Sequence, residues 1–431
     1  MTRMKDSGIE WIGEVPEEWG ITKFKFLGTA KNGLTYSPEN IVEQTEGVLV
    51  LRSGNIRNNK LVFDNNVYVN SQIEPSIFLK KGDILITARN GSANLIGKNA
   101  IVEEPILATY GAFMMVFRVN KRMKSKFAYY LMNSSFDFYR NFFTTSTVNQ
   151  LTAGIFYNIE VPLPTIIEQT KIADFLDKKI AQLDKVKSLL EEQIKTLEGY
   201  RQSLIYETVT KGLDKTVPLK DSGVDWIGQI PEGWGVGKLK YYFDVQLGKM
   251  LQPSAINGND IEIDYLRAIN VQWDNISVDN LSKMWCNPSE VSKYEIINGD
   301  LLVCEGGEVG RCGIVEYLSD RAIIQNAVHR IRSAERANVR FLNYYIQHTT
   351  KSKWFDILCN KATIAHLTSE KLLNTLVVLP SISEQIRLAD FLDKKTEQIN
   401  QMIAIKKEQI ENINKQRQTL IYDYVTGKRR V

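Results

Sequence analysis

The chain has 431 residues, 43% hydrophobic and 24% charged, which is typical of a globular protein of two or three domains. Its 54 basic and 50 acidic side chains leave a net charge of +4, so bulk charge neither requires nor excludes a nucleic-acid partner. The first residues lack the apolar core of a signal peptide, and no apolar run reaches the length of a membrane span. We therefore expect a cytoplasmic protein without a membrane partner.

The four cysteines form no Cys-x-x-Cys pair, and the three histidines have no metal-ligand spacing. This pattern predicts reduced, structural thiols and no metal site.

In chain order, the first feature is a short motif that occurs twice. Lys5 to Gly20 contains Lys-Asp-Ser-Gly, Trp-Ile-Gly, Pro-Glu and Trp-Gly, and the same groups return at 220–235. Tryptophans set among glycine and proline can form a peptide-recognition surface. The favoured interpretation is a compact turn that packs its rings on an adjoining helix or domain.

Two variable regions, 23–162 and 238–378, follow the two motifs. In each, an apolar strand pattern ends in Leu-Arg and is followed by an asparagine, and a second strand pattern runs into a glycine-rich loop. The first loop, Gly91 to Lys98, superficially resembles a phosphate-binding loop, but five residues separate its glycines and Asn99 replaces the required hydroxyl. The alternatives left are a turn that approaches a nucleic acid and a solvated hairpin loop. Aromatic residues at helical spacing over 127–143 and 341–358 predict domain-core helices.

Two long helices are predicted by their ends. Thr165 and Ser381 each follow a proline and precede a glutamate by three residues, so hydroxyl and carboxylate can cap the first turn reciprocally. Gly212 and Gly427 suit the helix C-termini. Within these stretches Ala-Asp-Phe-Leu-Asp-Lys-Lys and Arg-Gln-x-Leu-Ile-Tyr occur twice, so the chain is an internal duplication.

Heptad spacing in both helices indicates a coiled coil. Val186, Tyr200 and Met402 are expected beside the seam, and Lys406 interrupts it. The short connection between the copies favours antiparallel pairing. The predicted seam residues are Leu176, Leu183, Leu190, Leu197, Leu204, Leu392, Ile399, Ile413 and Leu420.

These elements predict an α+β fold. It consists of two strand-rich α/β recognition domains joined by two long helices that form an antiparallel coiled coil, with a pseudo-two-fold internal repeat. The predicted boundaries are 1–164 for the first motif and domain, 165–212 for the first helix, 213–237 for a linker with the repeated motif, 238–380 for the second domain, and 381–431 for the second helix and a frayed basic tail.

Motifs of common enzymes are missing, including the nucleophile elbow, the zinc-protease motif, the dinucleotide fingerprint and the Asn-Pro-Pro-aromatic motif of amino methyltransferases. The sequence therefore favours a recognition or scaffold protein that is not itself an enzyme.

The doubled order of Trp-Ile-Gly-x-x-Pro-Glu-x-Trp-Gly, variable domain, Pro-x-x-Glu-Gln, Ala-Asp-Phe-Leu-Asp-Lys-Lys and long helix resembles the specificity subunit of bacterial type I restriction-modification systems. The resemblance covers essentially the whole chain. It implies that each variable domain reads one half of a split, asymmetric sequence in double-stranded DNA and that the helices set the spacing. It also implies two DNA methyltransferase (modification) subunits as partners, which can be joined by two restriction subunits. S-adenosylmethionine, ATP and Mg²⁺ would serve those partners, and this chain would hold no cofactor.

The recognition residues vary within the family, so no motif assigns them in this sequence. Candidate DNA contacts are therefore selected by residue chemistry and by position in a loop. The candidates are Arg52, Asn55, Arg89, Asn90, Ser92, Lys98, Asn149 and Gln150 in the first domain, and Arg267, Asn270, Arg311, Gln325, Asn326 and His366 in the second.

Charged residues on the helices suit either docking of the modification subunits or an ordinary solvated face. Two other classes stay open: a coiled-coil adaptor without a DNA role, and an enzyme whose active site has no recognised motif.

Overall fold

The computed structural model describes residues 3–139, 149–334, 337–359 and 366–431. Its contacts divide the chain into two compact units. Unit 1 comprises Met1–Leu190 and Lys407–Val431, and unit 2 comprises Glu191–Lys406. No helix within the described residues is long and apolar enough to cross a membrane.

Unit 1 consists mainly of short strands, and its helices come late in the chain. The strands are β1 (Met4–Ile9), β2 (Gly13–Pro16), β3 (Gly20–Lys23), β4 (Gly28–Asn32), β5 (Ile41–Val42), β6 (Val48–Leu51), β7 (Ile56–Arg57), β8 (Lys60–Leu61), β9 (Val67–Val69), β10 (Ile84–Thr87), β11 (Asn99–Ile101), β12 (Ala108–Tyr110), β13 (Met114–Val119) and β14 (Glu160–Leu163). The helices are α1 (Ser125–Tyr139), α2 (Ala153–Asn158) and α3 (Ile166–Lys211), of which α3 continues into unit 2.

Unit 2 repeats this plan. Its strands are β15 (Leu219–Asp221), β16 (Gln229–Pro231), β17 (Gly235–Lys238), β18 (Phe243–Leu247), β19 (Ile261–Leu266), β20 (Val271–Gln272), β21 (Asn275–Ile276), β22 (Ser282–Cys286), β23 (Glu295–Ile296), β24 (Leu301–Cys304), β25 (Cys312–Ile314), β26 (Ala322–Ile324), β27 (Val328–Ser333) and β28 (Leu376–Leu379). Its helices are α4 (Pro288–Tyr294), α5 (Val339–Lys351), α6 (Trp354–Leu358), α7 (Ser369–Asn374) and α8 (Ile382–Val425), and α8 continues into unit 1.

Each unit is built on two four-stranded sheets. An antiparallel sheet has the order β11-β10-β13-β4 in unit 1 and β25-β24-β27-β18 in unit 2. A mixed sheet contains one parallel pair, β12 with β6 in unit 1 and β26 with β19 in unit 2. Beyond that shared core the mixed sheets differ, because β5 extends the first next to β9 whereas β23 extends the second next to β26.

The long helices pair antiparallel within each unit. In unit 1 the rings of Phe175 and Tyr424 lie 4.5 Å apart, and further along α3 Asp184 lies 3.6 Å from Arg417. Because the α8 number falls as the α3 number rises, the two segments run in opposite directions. In unit 2 the seam residue Lys406 donates to Gln193 Oε1 at 2.6 Å, so a polar pair occupies the place where the heptad pattern breaks.

Two seam residues are completely buried because a recognition domain also packs on them. Leu176 and Leu392 are 0% exposed, because they share a core with residues of their own domain. Other seam positions are half-buried, namely Leu183, Leu190, Leu197, Leu204, Ile413 and Leu420, whereas Ile399 is buried. Val186, Tyr200 and Met402, expected beside the seam, are 47%, 56% and 44% exposed.

The repeated Trp-Gly motif connects a helix start to a helix end. Trp19 and Trp234 are buried, which confirms the compact-turn interpretation. The ring of Trp19 lies against Gly427, and that of Trp234 lies against Gly212.

The helix caps are only partly as predicted. Thr165 and Ser381 do cap, since each hydroxyl accepts the backbone N–H three residues later at 3.3 Å. The glutamates do not return the bond, because Glu168 and Glu384 accept from the indoles of Trp19 and Trp234 instead.

Two further predictions need correction. The expected helix over 341–358 breaks into α5 and α6 at Lys353, whose φ of 63° is left-handed. The basic tail is not frayed, because Lys428 donates to Glu14 O at 2.9 Å and Arg430 pairs with Glu168 at 3.2 Å. Over 127–143, α1 accounts for the residues up to Tyr139, and 140–148 lie outside the described residues.

Candidate nucleic-acid interface

The repeated helix motif holds each recognition domain on the long helices. The second aspartate of Ala-Asp-Phe-Leu-Asp-Lys-Lys, Asp177, accepts from Tyr130 at 2.6 Å and pairs with Lys126. The equivalent Asp393 accepts from Tyr344 at 2.8 Å and pairs with Arg340. Tyrosine and cation come from the domain helices α1 and α5, so both domains are attached in the same way.

In unit 1 the candidate residues gather where β6 and β10 end. Gly111 N donates to Leu51 O at 3.0 Å, and Leu151 N donates to Ala88 O at 2.8 Å. An isolated bridge pairs Arg89 with Gln150. Ala88 N also donates to Phe113 O at 3.0 Å, two residues from Gly111. Together these contacts bring the turn after β6, the loop after β10 and residues 149–151 to one place. We call this surface the unit 1 strand-end face; its candidate side chains are Arg52, Arg89, Asn90, Ser92, Lys98, Asn149 and Gln150.

Three side chains of this face are exposed: Arg52, Arg89 and Ser92. The Arg52 guanidinium donates to Asn65 O at 3.1 Å. The Arg89 guanidinium lies 5.3 Å from the centre of the Phe113 ring, which is itself 60% exposed. Cation and aromatic ring together suit a polyanion that also offers flat bases.

The amide side chains of this face are half-buried and stabilise the conformation of the loop. Asn90 Oδ1 accepts from Ser92 N at 3.0 Å, and Asn149 Nδ2 donates to Gly91 O at 3.2 Å. Gln150 takes part in the backbone bridge to Arg89. These residues therefore shape the face. Only the amide groups that are not used in these hydrogen bonds can contact a ligand.

Asn55 and Asn270 both have architectural roles, and burial of Asn55 corrects its selection as a surface contact, whereas Asn270 is half-buried. Asn55 is 1% exposed, accepts from Arg52 N at 2.9 Å and donates to Val62 O at 3.1 Å. Asn270 likewise accepts from Arg267 N at 3.0 Å and donates to Ser277 O at 3.3 Å. Asparagine often closes turns through its own backbone neighbours.

Lys98 and Arg311 occupy equivalent positions and tether the two loops. Lys98 Nζ donates to Ser53 O at 3.1 Å, and Arg311 Nη2 donates to Ala268 O at 2.8 Å. Burial, with a smaller contribution from the charge of Arg57, lowers the pKa of Lys98. Both side chains add positive potential behind their face, although each already donates a hydrogen bond to a backbone carbonyl.

Unit 2 builds the same frame. Gln325 N donates to Leu266 O at 3.0 Å, Glu305 N donates to Ala327 O at 3.0 Å, and Leu367 N donates to Glu305 O at 2.8 Å. We call this surface the unit 2 strand-end face; it comprises Arg267, Glu305, Arg311, Gln325, Asn326 and His366. Arg267 and His366 are exposed, and Gln325 and Asn326 are half-buried.

The matched hydrogen bonds align the two faces residue by residue. Ala88 of unit 1 corresponds to Glu305 of unit 2, because each carbonyl accepts from the leucine that follows Gln150 or His366. Gln150 therefore corresponds to His366. One frame carries two different chemical surfaces.

Sequence reasoning missed Phe113 and Glu305. The position of Glu305 directly after the buried strand β24 was a usable signal, but an acidic side chain does not fit the positive charge that predicts a DNA surface. Phe113 gave no signal, since an isolated phenylalanine between strands is ordinarily part of a core.

The cysteines and the possible metal ligands offer different chemistry from the two strand-end faces. All four cysteines are free and buried, as expected, and burial raises their pKa values. Within the described ranges, no group of three or more His, Cys, Asp or Glu side chains is placed to hold a metal ion.

The model of the type I restriction modification DNA specificity domain matches this chain twice, over residues 16–196 and 231–413. The chain belongs to the type I restriction-modification DNA specificity family. The resemblance drawn from the motifs is thereby confirmed, and the two matches coincide with the two copies of the repeat.

Among curated relatives, the specificity subunit of the StySPI type I restriction enzyme from Salmonella potsdam is 27% identical over 77% of this chain and 72% of its own length. The EcoKI specificity subunit of Escherichia coli is 24% identical over 91% of this chain and 86% of its own length. The MjaX specificity subunit, described as putative, from Methanocaldococcus jannaschii is 27% identical over 97% of this chain and 96% of its own length.

Solved structures share the fold. A chain from a study of complex assembly and conformational transition in the type I R-M system superposes with a TM-score of 0.72, at 17% identity, over 96% of this chain and 99% of that chain. The HsdS subunit from Thermoanaerobacter tengcongensis gives a TM-score of 0.52, at 18% identity, over 96% of this chain and 98% of that one. The α+β fold with two recognition domains and two long helices is therefore a family fold.

Proposed function

We propose that this chain is the DNA-binding specificity subunit of a type I restriction-modification complex, and that each strand-end face reads one half of a split, asymmetric DNA site. The observation that carries the proposal is the shared backbone frame of the two faces with unlike side chains on it. Equal frames dock on duplex DNA in equal ways, and unlike side chains select unlike bases.

Exposed arginines supply the phosphate contacts. Arg52 and Arg267 occupy the same position after β6 and β19, and both are exposed. A guanidinium binds a phosphate through paired N–H donors, which positions the domain without selecting a sequence. Base selection then rests on the side chains that differ between the faces.

The long helices set the distance between the half-sites and dock two modification subunits, which two restriction subunits can join. This chain contributes recognition and no chemistry. The modification subunits would use S-adenosylmethionine to methylate adenine, and the restriction subunits would use ATP and Mg²⁺. Because the substrate is chromosomal and incoming DNA, we place the complex in the cytoplasm.

The test is the map of methylated adenine in a host genome, with and without this chain, beside the modification subunit encoded next to it. A split motif of two short, unlike halves that disappears with the chain is the expected result. An unchanged map, with the modification subunit expressed and assembled, would contradict the proposal and favour an adaptor without a DNA role.

A further inference from the structure

Glu305 is the acidic residue of the unit 2 strand-end face, and its backbone is held on both sides. Its N–H donates to Ala327 O at 3.0 Å and its carbonyl accepts from Leu367 N at 2.8 Å. Glu305 directly follows β24, so the sheet fixes the position of its backbone and Cβ. Sites placed on rigid elements present their side chains with little positional freedom.

Glu305 is half-buried, and within the described ranges its carboxylate makes no hydrogen bond or ion pair with another side chain. Burial raises its pKa, and the nearby His366 lowers it by a smaller amount. Glu308, three residues later, is different: it accepts from Trp273 at 2.8 Å and pairs with Arg311 at 3.5 Å. Within the described residues no other side chain donates to the Glu305 carboxylate, so its acceptors are open to a ligand that can donate to them.

The chemistry of DNA limits what can satisfy it. Phosphates repel a carboxylate, and an ionised carboxylate can only accept hydrogen bonds. In the major groove the donors on the base edges are the exocyclic amino groups, N4 of cytosine and N6 of adenine.

We infer that Glu305 is a base-reading residue of unit 2, which accepts a hydrogen bond from the exocyclic amino group of one base in the half-site that this unit recognises. The inference rests on the proposed function. Unit 1 has Ala88 at the same position and Arg89 beside it, where unit 2 has Gly306. The two units therefore cannot read this position of their half-sites alike.

Glu305→Gln tests the inference in the complex of the full chain with its modification subunits. Affinity is measured for duplexes that carry every single base-pair change in the target. At one position of one half-site, the wild-type complex should prefer a pair that offers cytosine N4 or adenine N6 by about 5- to 150-fold, the usual range for a specific contact. The duplex panel tells the two bases apart.

In Glu305→Gln that preference should fall below about 3-fold, because the amide can donate as well as accept. The other half-site should be read unchanged. Glu305→Ala is a second variant that the frame should tolerate, since unit 1 carries alanine there, and it should lose the same preference.

Glu316→Gln is the matched control. It removes the same charge from an exposed glutamate near the opposite end of the β24–β25 pair, where Leu301 lies beside Ile314. It should keep every wild-type preference.

Unchanged discrimination at all positions in both Glu305 variants would overturn the inference. So would equal weakening toward every duplex with an unaltered thermal midpoint, since that outcome shows a contribution to affinity alone. A wild-type complex without any sequence preference would instead refute the proposed function, so the two failures are distinguishable.

Discussion

The indole nitrogen of Trp19 donates a hydrogen bond to the carboxylate of Glu168 at 3.0 Å, across 149 residues of sequence. Trp234 and Glu384 repeat the bond at 3.1 Å in unit 2. Because the same indoles lie against the closing glycines of the long helices, each tryptophan joins the start of one long helix to the end of the other within its unit.

Trp19→Phe combined with Glu168→Ala should reveal this bond as a coupling energy. We expect about 1–2 kcal/mol in a double-mutant cycle, since the acceptor is charged and the donor is buried. The measurement is the denaturant-induced unfolding of unit 1, with Trp234→Phe and Glu384→Ala as the matched cycle. Strictly additive single effects would contradict the prediction.

Gly427→Ala should destabilise the protein more than Gly212→Ala. Both glycines have positive φ, 75° and 67°, but an added Cβ at Gly427 would lie 2.4 Å from Pro16, whereas at Gly212 it would lie 3.1 Å from Trp234. We expect a loss of about 2–4 kcal/mol for the first and about 1–2 kcal/mol for the second. Gly199→Ala is the control in open helix surface, with a gain of about 0.5–1 kcal/mol. Equal losses of stability in the two variants would contradict the prediction, because they would show that Pro16 moves away from the added methyl group at little cost.

Asp177→Asn should loosen the first recognition domain from α3. The change weakens the acceptor for Tyr130 and removes the ion pair with Lys126, at a cost of about 1–3 kcal/mol. Asp174→Asn, in the same motif and exposed, should stay within about 0.5 kcal/mol of wild type. Hydrogen exchange of α1 is the measurement, and similar protection in both variants would refute the role given to Asp177.

His348 should make stability fall with acid. Burial lowers the pKa of His348 to about 4, below the value of about 6.5 expected when unfolded. The unfolded state therefore binds more protons between these values, so stability is complete above pH 6.5 and decreases toward pH 4. Between pH 6.5 and 5 the loss from this group is at most about 2 kcal/mol. His348→Gln should flatten the decrease in the unfolding midpoint, and an unaltered pH profile would contradict the assignment.

Arg52→Ala and Arg267→Ala should each weaken DNA binding with little change in sequence preference. Each removes one phosphate contact, so the slope of log K against log salt should shrink by about 0.9. Affinity for the target duplex across a salt series is the measurement. Lys81→Ala, an exposed charge before the start of β10, is the control. A slope equal to that of wild type in both arginine variants would remove these residues from the interface.

Local patterns predicted the parts of this structure that local interactions decide. Thr165 caps α3 and Gly212 ends it, because a cap and a left-handed glycine act within one helical turn. The partner of Glu168 could not be predicted in the same way, since the competing indole is distant in sequence. Heptad spacing likewise placed Tyr200 near the seam but could not show that its side chain is exposed.

In the candidate site, too, local features could be predicted and features that depend on distant residues could not. Loop position identified the strand-end faces, yet residue type could not separate Asn55, which closes a turn, from Arg52, which is exposed. That distinction depends on which backbone groups need a partner after folding, and Val62 O, which takes the Asn55 amide, is seven residues away.

The frame of each strand-end face is made by main-chain hydrogen bonds, such as Gly111 to Leu51 in unit 1 and Gln325 to Leu266 in unit 2. A main-chain bond survives most exchanges of the side chain above it. A few substitutions can therefore change the sequence specificity of a domain while each intermediate variant still folds. A mutational scan of either domain should find permissive positions interleaved with intolerant ones such as Asn55, often only a few residues apart.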